Sequence, residues 1–233
     1  MSTRALLDGA ESFDVTVLER SAPARVVLFA VGLGGNPERH LPLLESLAGR
    51  GCVVVAPHFQ RLASAIPTLA DLQLRARRLR LALDAVNGAA LPVAGVGHSV
   101  GAAMLLALAG AQAWTIRHER VAAPVVDRLD RLALMAPATD FFRAPGAFDR
   151  VRAPILAWAG AADTVVTPEK VRLIEHCLAP RVPVETRVID GAGHFSFMNQ
   201  LPPHIADPFP DRDAFLADLA AEVGRFVTDN ATS

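Results

Sequence analysis

The chain has 233 residues, of which 52% are hydrophobic and 20% are charged, and this composition excludes a disordered segment and fits one globular domain. The formal net charge of −1 excludes an overall field that attracts nucleic acid or an anionic membrane. Cys52 and Cys177 lie far apart, which fits a reducing compartment and supplies no metal-ligand spacing. The segment 1–11 carries no apolar signal sequence, and the apolar stretch 100–111 is too short to span a bilayer, so we expect a cytoplasmic protein.

Strands and helices alternate along the chain. A half-exposed strand is predicted at 13–18, and the later apolar runs indicate buried strands at 25–31, 52–56, 92–96, 132–135, 155–158 and 184–189. The helical spacing of apolar residues predicts helices that begin near Asn36, Leu72, Val100, Thr167 and Phe215. The second of these is expected to end at Asn87-Gly88. This alternation predicts an α/β fold, in which a mostly parallel sheet carries helices on both faces and the site lies beyond the carboxyl ends of the strands.

The segment Leu74–Arg80 is rich in arginine and includes Arg75, and its leucines recur at helical spacing. We interpret it as the solvated face of a helix rather than as a phosphate-binding patch.

A serine follows the predicted strand 92–96 in the sequence Gly97-His98-Ser99-Val100-Gly101. A nucleophile on a sharp strand-to-helix turn needs small neighbours, because the backbone is strained and the helix packs close to the strands. With a strand before it and an apolar helix after it, the motif predicts a nucleophile elbow with Ser99 as the nucleophile. The alternative is a tight turn that carries an idle serine.

Two backbone N–H groups are predicted to form an oxyanion hole. Val100 N–H opens the helix after Ser99, where the free N–H groups and the helix dipole favour negative charge. Leu33 N–H is the second expected donor, because Leu33 follows the strand-end Gly32 in the loop Gly32-Leu33-Gly34-Gly35. This loop lacks the Lys-Ser/Thr of a P-loop, which argues against a phosphate-binding turn.

A serine hydroxyl needs a general base, and His194 is the predicted base among seven histidines. It follows the last strand in Asp190-Gly191-Ala192-Gly193-His194, where the glycines let a loop bring the imidazole over the serine. His98 adjoins the nucleophile but is expected to point elsewhere. His40 and His176 fall in predicted helices, where packing or surface roles are favoured. His204 is a weaker second candidate.

The imidazole needs an acid that fixes its tautomer, and Asp163 is the predicted acid. It follows the strand 155–158 and lies 31 residues before His194, which gives the order serine, aspartate, histidine. Asp140 is the rival, because it follows the preceding strand. Asp190 is expected to shape the turn of His194.

The segment between the strands 132–135 and 155–158 is short, so the single domain 1–233 has at most a small lid at 137–153. Six apolar residues either wall an acyl pocket or pack the lid onto the sheet, and both interpretations stay open: Phe141, Phe142, Phe148, Phe195, Phe197 and Met198. His58, which follows a strand end, is a further candidate for the substrate site.

The chain resembles the α/β-hydrolase superfamily over nearly its full length. Three segments carry the resemblance: Gly97-His98-Ser99-Val100-Gly101, Gly160-Ala161-Ala162-Asp163 with Pro168, and Gly191-Ala192-Gly193-His194. The small size and Gly193-His194-Phe195-Ser196-Phe197-Met198 are similar to the dienelactone-hydrolase-related group, including its serine members. The resemblance implies an eight-stranded sheet and ester hydrolysis without a cofactor.

Two departures from that group are visible. Dienelactone hydrolases use a cysteine where this chain has Ser99, which argues against dienelactone as the substrate. Val31-Gly32 stands where many relatives have His-Gly, and a backbone donor does not depend on that side chain.

We therefore expect a serine hydrolase that cleaves small or medium carboxylic esters or thioesters through an acyl-enzyme. Its expected partner is a small-molecule substrate, with no metal, nucleic acid or membrane. A carbon–carbon bond hydrolase acting on diketones, or an acyltransferase, would use the same three residues. A binding module on the same fold is the alternative outside enzymes.

Overall fold

One sheet of eight strands runs through the residues that the computed structural model describes, which are 1–19, 21–86 and 91–229. The strands are Ser2–Asp8 (β1), Glu11–Leu18 (β2), Arg25–Ala30 (β3), Cys52–Pro57 (β4), Val93–His98 (β5), Leu129–Met135 (β6), Ile155–Gly160 (β7) and Val184–Ile189 (β8). The helices are Leu41–Gly49 (α1), Leu69–Ala85 (α2), Val100–Leu108 (α3), Pro168–Leu178 (α4) and Arg212–Thr228 (α5).

The strand order is β1-β2-β4-β3-β5-β6-β7-β8. The pairs β1–β2 and β2–β4 are antiparallel, and each neighbouring pair from β4 to β8 is parallel. This confirms the mostly parallel sheet that the alternation of elements predicted. Strands β3, β4, β5 and β7 are buried along their whole length, as a sheet covered on both faces requires. The sequence patterns did not predict β1. This strand pairs only with β2 at the edge of the sheet and leaves Leu7 69% exposed, so it lacks the apolar run of a buried strand.

Helices cover both faces of the sheet. The apolar sides of α1 and α5 pack on one face, and those of α2, α3 and α4 pack on the other. Before α1, Asn36 Oδ1 accepts a hydrogen bond from Glu38 N at 2.8 Å, so the predicted N-cap is present, although the first turn is a 3-10 turn. The predicted helix stop at Asn87-Gly88 lies outside the described residues. No helix of the described part is both long and apolar enough to cross a membrane.

The arginine-rich segment is not a uniformly solvated face, and that prediction was wrong for two of its members. Arg75 and Arg78 are only 2% and 7% exposed, whereas the side chain of Arg77 is 53% exposed. Helix α2 therefore presents two guanidinium groups inward, because each finds polar acceptors that its position in the sequence does not reveal.

The segment 137–153 packs down onto the α2–α4 side of the protein. Phe142 and Phe148 are buried, with ring centroids 5.2 Å apart. The backbone carbonyls of Phe141 and Ala147 accept hydrogen bonds from the strand-like stretch after α3, at 2.8 and 2.7 Å. The sequence left open whether the aromatic residues wall an acyl pocket or pack the lid onto the sheet. For Phe141, Phe142 and Phe148, which lie in this segment, the structure shows packing.

The first turn of α3 lies against the carboxyl end of β3. A Cβ atom built on Gly101 would lie 2.2 Å from the Ala30 carbonyl oxygen and 2.5 Å from that of Val31. Both distances are far inside van der Waals contact, so only glycine permits this approach. Ser99, which directly precedes α3, is thereby held close to the loop that follows β3.

We expect Gly101→Ala to lower the free energy of unfolding by about 2–3 kcal/mol or to prevent folding, because the added methyl must displace backbone. Gly49→Ala is the control, since a Cβ there meets nothing within 4 Å and alanine favours the helix. Urea denaturation measures both. Equal stability of the two variants would contradict the close approach.

Candidate active site

Ser99 lies between β5 and α3 in a strained backbone conformation, with φ 56° and ψ −125°. Such angles are unfavourable for a residue with a side chain and need support from their surroundings. Ser99 N donates to the Met135 carbonyl at 2.9 Å, and Ala138 N donates to the Ser99 carbonyl at 3.3 Å. The end of β6 and the residues after it therefore hold the turn that presents the Ser99 hydroxyl.

His194 links Ser99 to Asp163. His194 Nδ1 is 2.8 Å from Asp163 Oδ2, and His194 Nε2 is 3.1 Å from Ser99 Oγ. An ionised carboxylate only accepts hydrogen bonds, so Nδ1 carries the proton and Nε2 of the neutral ring accepts from the serine hydroxyl. All three side chains are buried.

Asp163 is held by its own loop. Its Oδ1 accepts hydrogen bonds from the backbone N–H groups of Val165 and Val166, both at 2.7 Å, which leaves Oδ2 for His194. The loop also joins the histidine loop, since Ala162 N donates to the Ala192 carbonyl at 2.9 Å. A Cβ atom on Gly160 would lie 2.3 Å from that same carbonyl oxygen, so the two loops approach as closely as glycine allows.

Asp140, the rival acid, lies away from His194. It forms ion pairs with Lys170, at 2.6 Å, and with Arg143. Burial alone would raise the pKa of Asp140, but hydrogen bonds from Lys170 and Arg143 lower it below its ordinary value. Asp140 thus has the surroundings of a surface carboxylate with a structural role. Asp190, in turn, is exposed at the turn before the loop that carries His194.

The glycine loop after β3 lies beside Ser99. A Cβ atom on Gly32 would be 3.3 Å from Ser99 Cβ, and Leu33 lines the same pocket as Ser99. Leu33 N has no hydrogen-bond acceptor among the described residues, and Val100, the first residue of α3, has no acceptor one turn earlier in its helix. Leu33 thus lines the pocket of Ser99 and Val100 follows Ser99 directly, and neither N–H has an acceptor among the described residues; their role as oxyanion donors stays a prediction.

The pocket over Ser99 has a volume of about 270 Å³. Of the predicted substrate-binding residues, Phe195 lines it, whereas His58, Phe141 and Phe142 do not. His58 Nε2 instead lies 2.7 Å from Thr16 Oγ1, and burial lowers the pKa of this ring. Phe142 belongs to the core, and Phe141 lines a separate cleft of about 810 Å³.

Two cations that the sequence did not single out line the pocket. Arg39 donates to the carbonyls of Gln200, at 3.5 Å, and Leu201, and Arg61 is exposed in the loop after β4. No aspartate or glutamate is among the described residues that line this pocket. Only the strand order, which places the loops after β3 and β4 side by side, could have revealed the pair.

Two further histidines, His40 and His98, are buried and also line this pocket. His98 Nε2 donates to the His194 carbonyl at 3.0 Å, and its ring centroid is 4.9 Å from that of His194 and 5.5 Å from that of His40. Burial lowers the pKa of His40 to about 4 and that of His98 well below its ordinary value. Both rings are thus neutral near pH 7, and His98 points away from the serine hydroxyl, as expected, but supports the loop of His194.

No protein-family model and no curated protein sequence matches the chain. Thermogutta terrifontis esterase 2 phosphorylated by paraoxon matches it with a TM-score of 0.67 at 17% identity, over 99% of this chain and 96% of that one. A dienelactone hydrolase from Anabaena variabilis has a TM-score of 0.67 at 19% identity, over 96% and 94% of the two chains. A protein of unknown function from Agrobacterium tumefaciens, described as a candidate alpha/beta hydrolase, has a TM-score of 0.69 at 15% identity, over 97% and 96%. The chain therefore has the α/β-hydrolase fold, as its motifs predicted.

The buried His40 makes stability depend on pH. Its pKa is about 4 in the folded protein and 6.5 in an unfolded chain, so between these values the unfolded chain binds a proton that the folded protein does not. The free energy of unfolding therefore falls as the pH drops from 6.5 towards 4, by about 2 kcal/mol at pH 4.5 for this residue. We expect His40→Gln to reduce the stability difference between pH 7 and pH 4.5 by that amount in urea denaturation.

His176→Gln serves as the control, because His176 is exposed on α4 and its replacement should leave the difference unchanged. An unchanged difference in His40→Gln would contradict the neutral buried ring.

Proposed function

We propose that the protein is a serine hydrolase that cleaves small or medium carboxylic esters or thioesters through an acyl-enzyme. The hydrogen-bonded series Ser99, His194 and Asp163 carries this proposal, because it joins a nucleophile, a base and an acid in one buried site. The neighbours of the same fold add support, since one is an esterase phosphorylated by paraoxon and another is a dienelactone hydrolase.

In the proposed reaction, His194 Nε2 takes the proton of Ser99 as Oγ attacks the carbonyl carbon of the substrate. The negative charge on the carbonyl oxygen is stabilised by the N–H groups of Leu33 and Val100. Asp163 stabilises the imidazolium and holds its orientation. His194 then protonates the leaving alcohol or thiol, and a water molecule, activated by the same ring, releases the acyl group from Ser99.

The pocket favours modest acyl groups. Its volume of about 270 Å³ is small, and Phe195, Met198 and Ile205 supply apolar walls. No residue of the segment 137–153 is among the described residues that line this pocket. The proposed reaction needs neither a metal ion nor a cofactor, and the two free cysteines support a cytoplasmic location.

A fluorophosphonate probe tests the nucleophile directly. We expect wild type to be labelled and to hydrolyse 4-nitrophenyl butyrate, and Ser99→Ala to lose labelling and at least about 10³-fold in kcat/KM. Asp163→Asn should lower kcat by about 10²–10⁴-fold, because the wrong tautomer of His194 is then favoured.

Asp140→Asn is the matched control for the acid, and its kcat should stay within about threefold of wild type, since its partners are Lys170 and Arg143. Equal labelling of Ser99→Ala, or a larger loss in Asp140→Asn than in Asp163→Asn, would overturn the assignment.

The two arginines of the pocket predict a preference for substrates that carry a negative charge. We expect Arg61→Gln to lower the ratio of kcat/KM for 4-nitrophenyl hemisuccinate to that for 4-nitrophenyl butyrate by about 3- to 10-fold, and added salt to weaken the preference, because Arg61 is exposed. Arg172→Gln, on the surface of α4, should leave the ratio unchanged. The same ratio in wild type and Arg61→Gln would contradict the prediction.

A further inference from the structure

Arg75 on α2 is a buried cation. Its side chain is 2% exposed, and no carboxylate among the described residues hydrogen-bonds it. Taking a charge out of water is costly unless hydrogen bonds replace the lost hydration. Burial lowers the pKa of Arg75 to about 10, against the opposing effect of Asp71, so the group still carries its charge at neutral pH.

The acceptors of Arg75 are successive carbonyls at the carboxyl end of β3. Nη1 donates to the Val31 and Gly32 carbonyls, both at 3.2 Å, and Nη2 lies 3.5 Å from the Leu33 carbonyl. The Phe59 ring lies 4.6 Å from the guanidinium carbon and fixes the plane of the group from the other side. The guanidinium thus binds the glycine loop from helix α2 and is not among the residues that line the pocket over Ser99.

One of these bonds involves the peptide group that is proposed to bind the oxyanion. The Gly32 carbonyl and the Leu33 N–H belong to the same peptide unit. A charged hydrogen bond to the carbonyl oxygen draws electron density from the amide, so that its N–H becomes a stronger donor. It also fixes the rotation of that peptide, on which the direction of the Leu33 N–H depends.

We propose that Arg75 is a positioning residue for the oxyanion hole, and that its bond to the Gly32 carbonyl aims and polarises the Leu33 N–H towards the substrate. This inference rests on the proposed function of Ser99. Its effect is greatest when the carbonyl oxygen of the substrate becomes negative, so Arg75 stabilises the transition state more than the bound ester.

Arg78 offers a matched control on the same helix. It is also a buried arginine, 7% exposed, and lies over an aromatic ring, that of Phe13, at 4.9 Å. Its guanidinium pairs with carboxylates, Asp8 at 3.1 Å and Glu11 at 2.6 Å, rather than with the glycine loop. Replacing Arg78 therefore removes a buried cation without touching the Gly32–Leu33 peptide.

The experiment compares Arg75→Met with Arg78→Met. We expect Arg75→Met to lower kcat for 4-nitrophenyl butyrate by about 10- to 100-fold with KM within about threefold, and to weaken binding of an alkyl trifluoromethyl ketone, a transition-state analogue, by the same factor as kcat/KM. Arg78→Met lowers Tm but keeps kcat and analogue affinity within about threefold of wild type. Arg75→Lys retains a charge but not the fork that reaches two carbonyls, and should fall between wild type and Arg75→Met.

A loss in Arg75→Met that matches the loss in Arg78→Met, or one confined to KM, overturns the proposal. If Arg75→Met does not fold, Arg75→Gln and Arg75→Lys decide between the same outcomes.

The backbone amide proton of Leu33 gives a readout that needs no activity. We expect its NMR resonance to move upfield in Arg75→Met or Arg75→Gln and to stay in place in Arg78→Met, because only the former lose the charged bond to its peptide group. An unmoved Leu33 resonance overturns the proposal. A wild-type protein that neither hydrolyses esters nor reacts with the fluorophosphonate instead overturns the function of Ser99, so the two failures are distinct.

Discussion

The position of Ser99, on which the rest of the site depends, is fixed by the contact between the first turn of α3 and the end of β3. Gly101 meets the carbonyls of Ala30 and Val31 with no room for a side chain. Because α3 begins there, Ser99 must turn the chain sharply and takes its positive φ. The same contact brings the helix N-terminus next to the loop after β3, so the two segments that carry the predicted oxyanion donors meet near the serine.

Asp163 and His194, the proposed acid and base, reach Ser99 through a different set of bonds. Asp163 follows β7 and His194 follows β8, which are parallel neighbours in the sheet. Their loops are joined by the hydrogen bond from Ala162 to Ala192 and by the close approach at Gly160. His98, the residue before the serine, connects this unit to the elbow through its bond to the His194 carbonyl. The two halves of the site are thus joined by two buried imidazoles, those of His98 and His194.

The sequence predicted the parts of this arrangement that depend on local pattern. Continuous apolar runs predict β3 to β7 because both faces of those strands are buried. The proximity of Ser99, Asp163 and His194 followed from their positions just past strand ends, although their catalytic roles stay predictions. Asp163 could be preferred to Asp140 only by the order of the strands, and the ion pairs of Asp140 with Lys170 and Arg143 had no local signal.

What the sequence could not predict depends on contacts between distant segments. Arg75 lies three residues after Leu72 and four before Leu79, beside the apolar face of α2, but the carbonyls at the end of β3 that accept its hydrogen bonds belong to a distant segment. For His40 the sequence left packing and surface roles open, and only the contact of its ring with Phe29, with centroids 5.0 Å apart, decides for packing. Phe141 and Phe142 fit a pocket wall as well as a core, since both sites favour aromatic residues.

The positive φ of Ser99 also limits which residues can replace this proposed nucleophile during evolution. Cysteine has one heavy atom at the same γ position and no branch at Cβ, so it enters this turn without new backbone strain. Threonine adds a methyl at Cβ, which a left-handed backbone tolerates poorly. Exchange between an oxygen and a sulfur nucleophile is therefore a single conservative step on this scaffold, whereas a threonine nucleophile would require the elbow itself to be rebuilt.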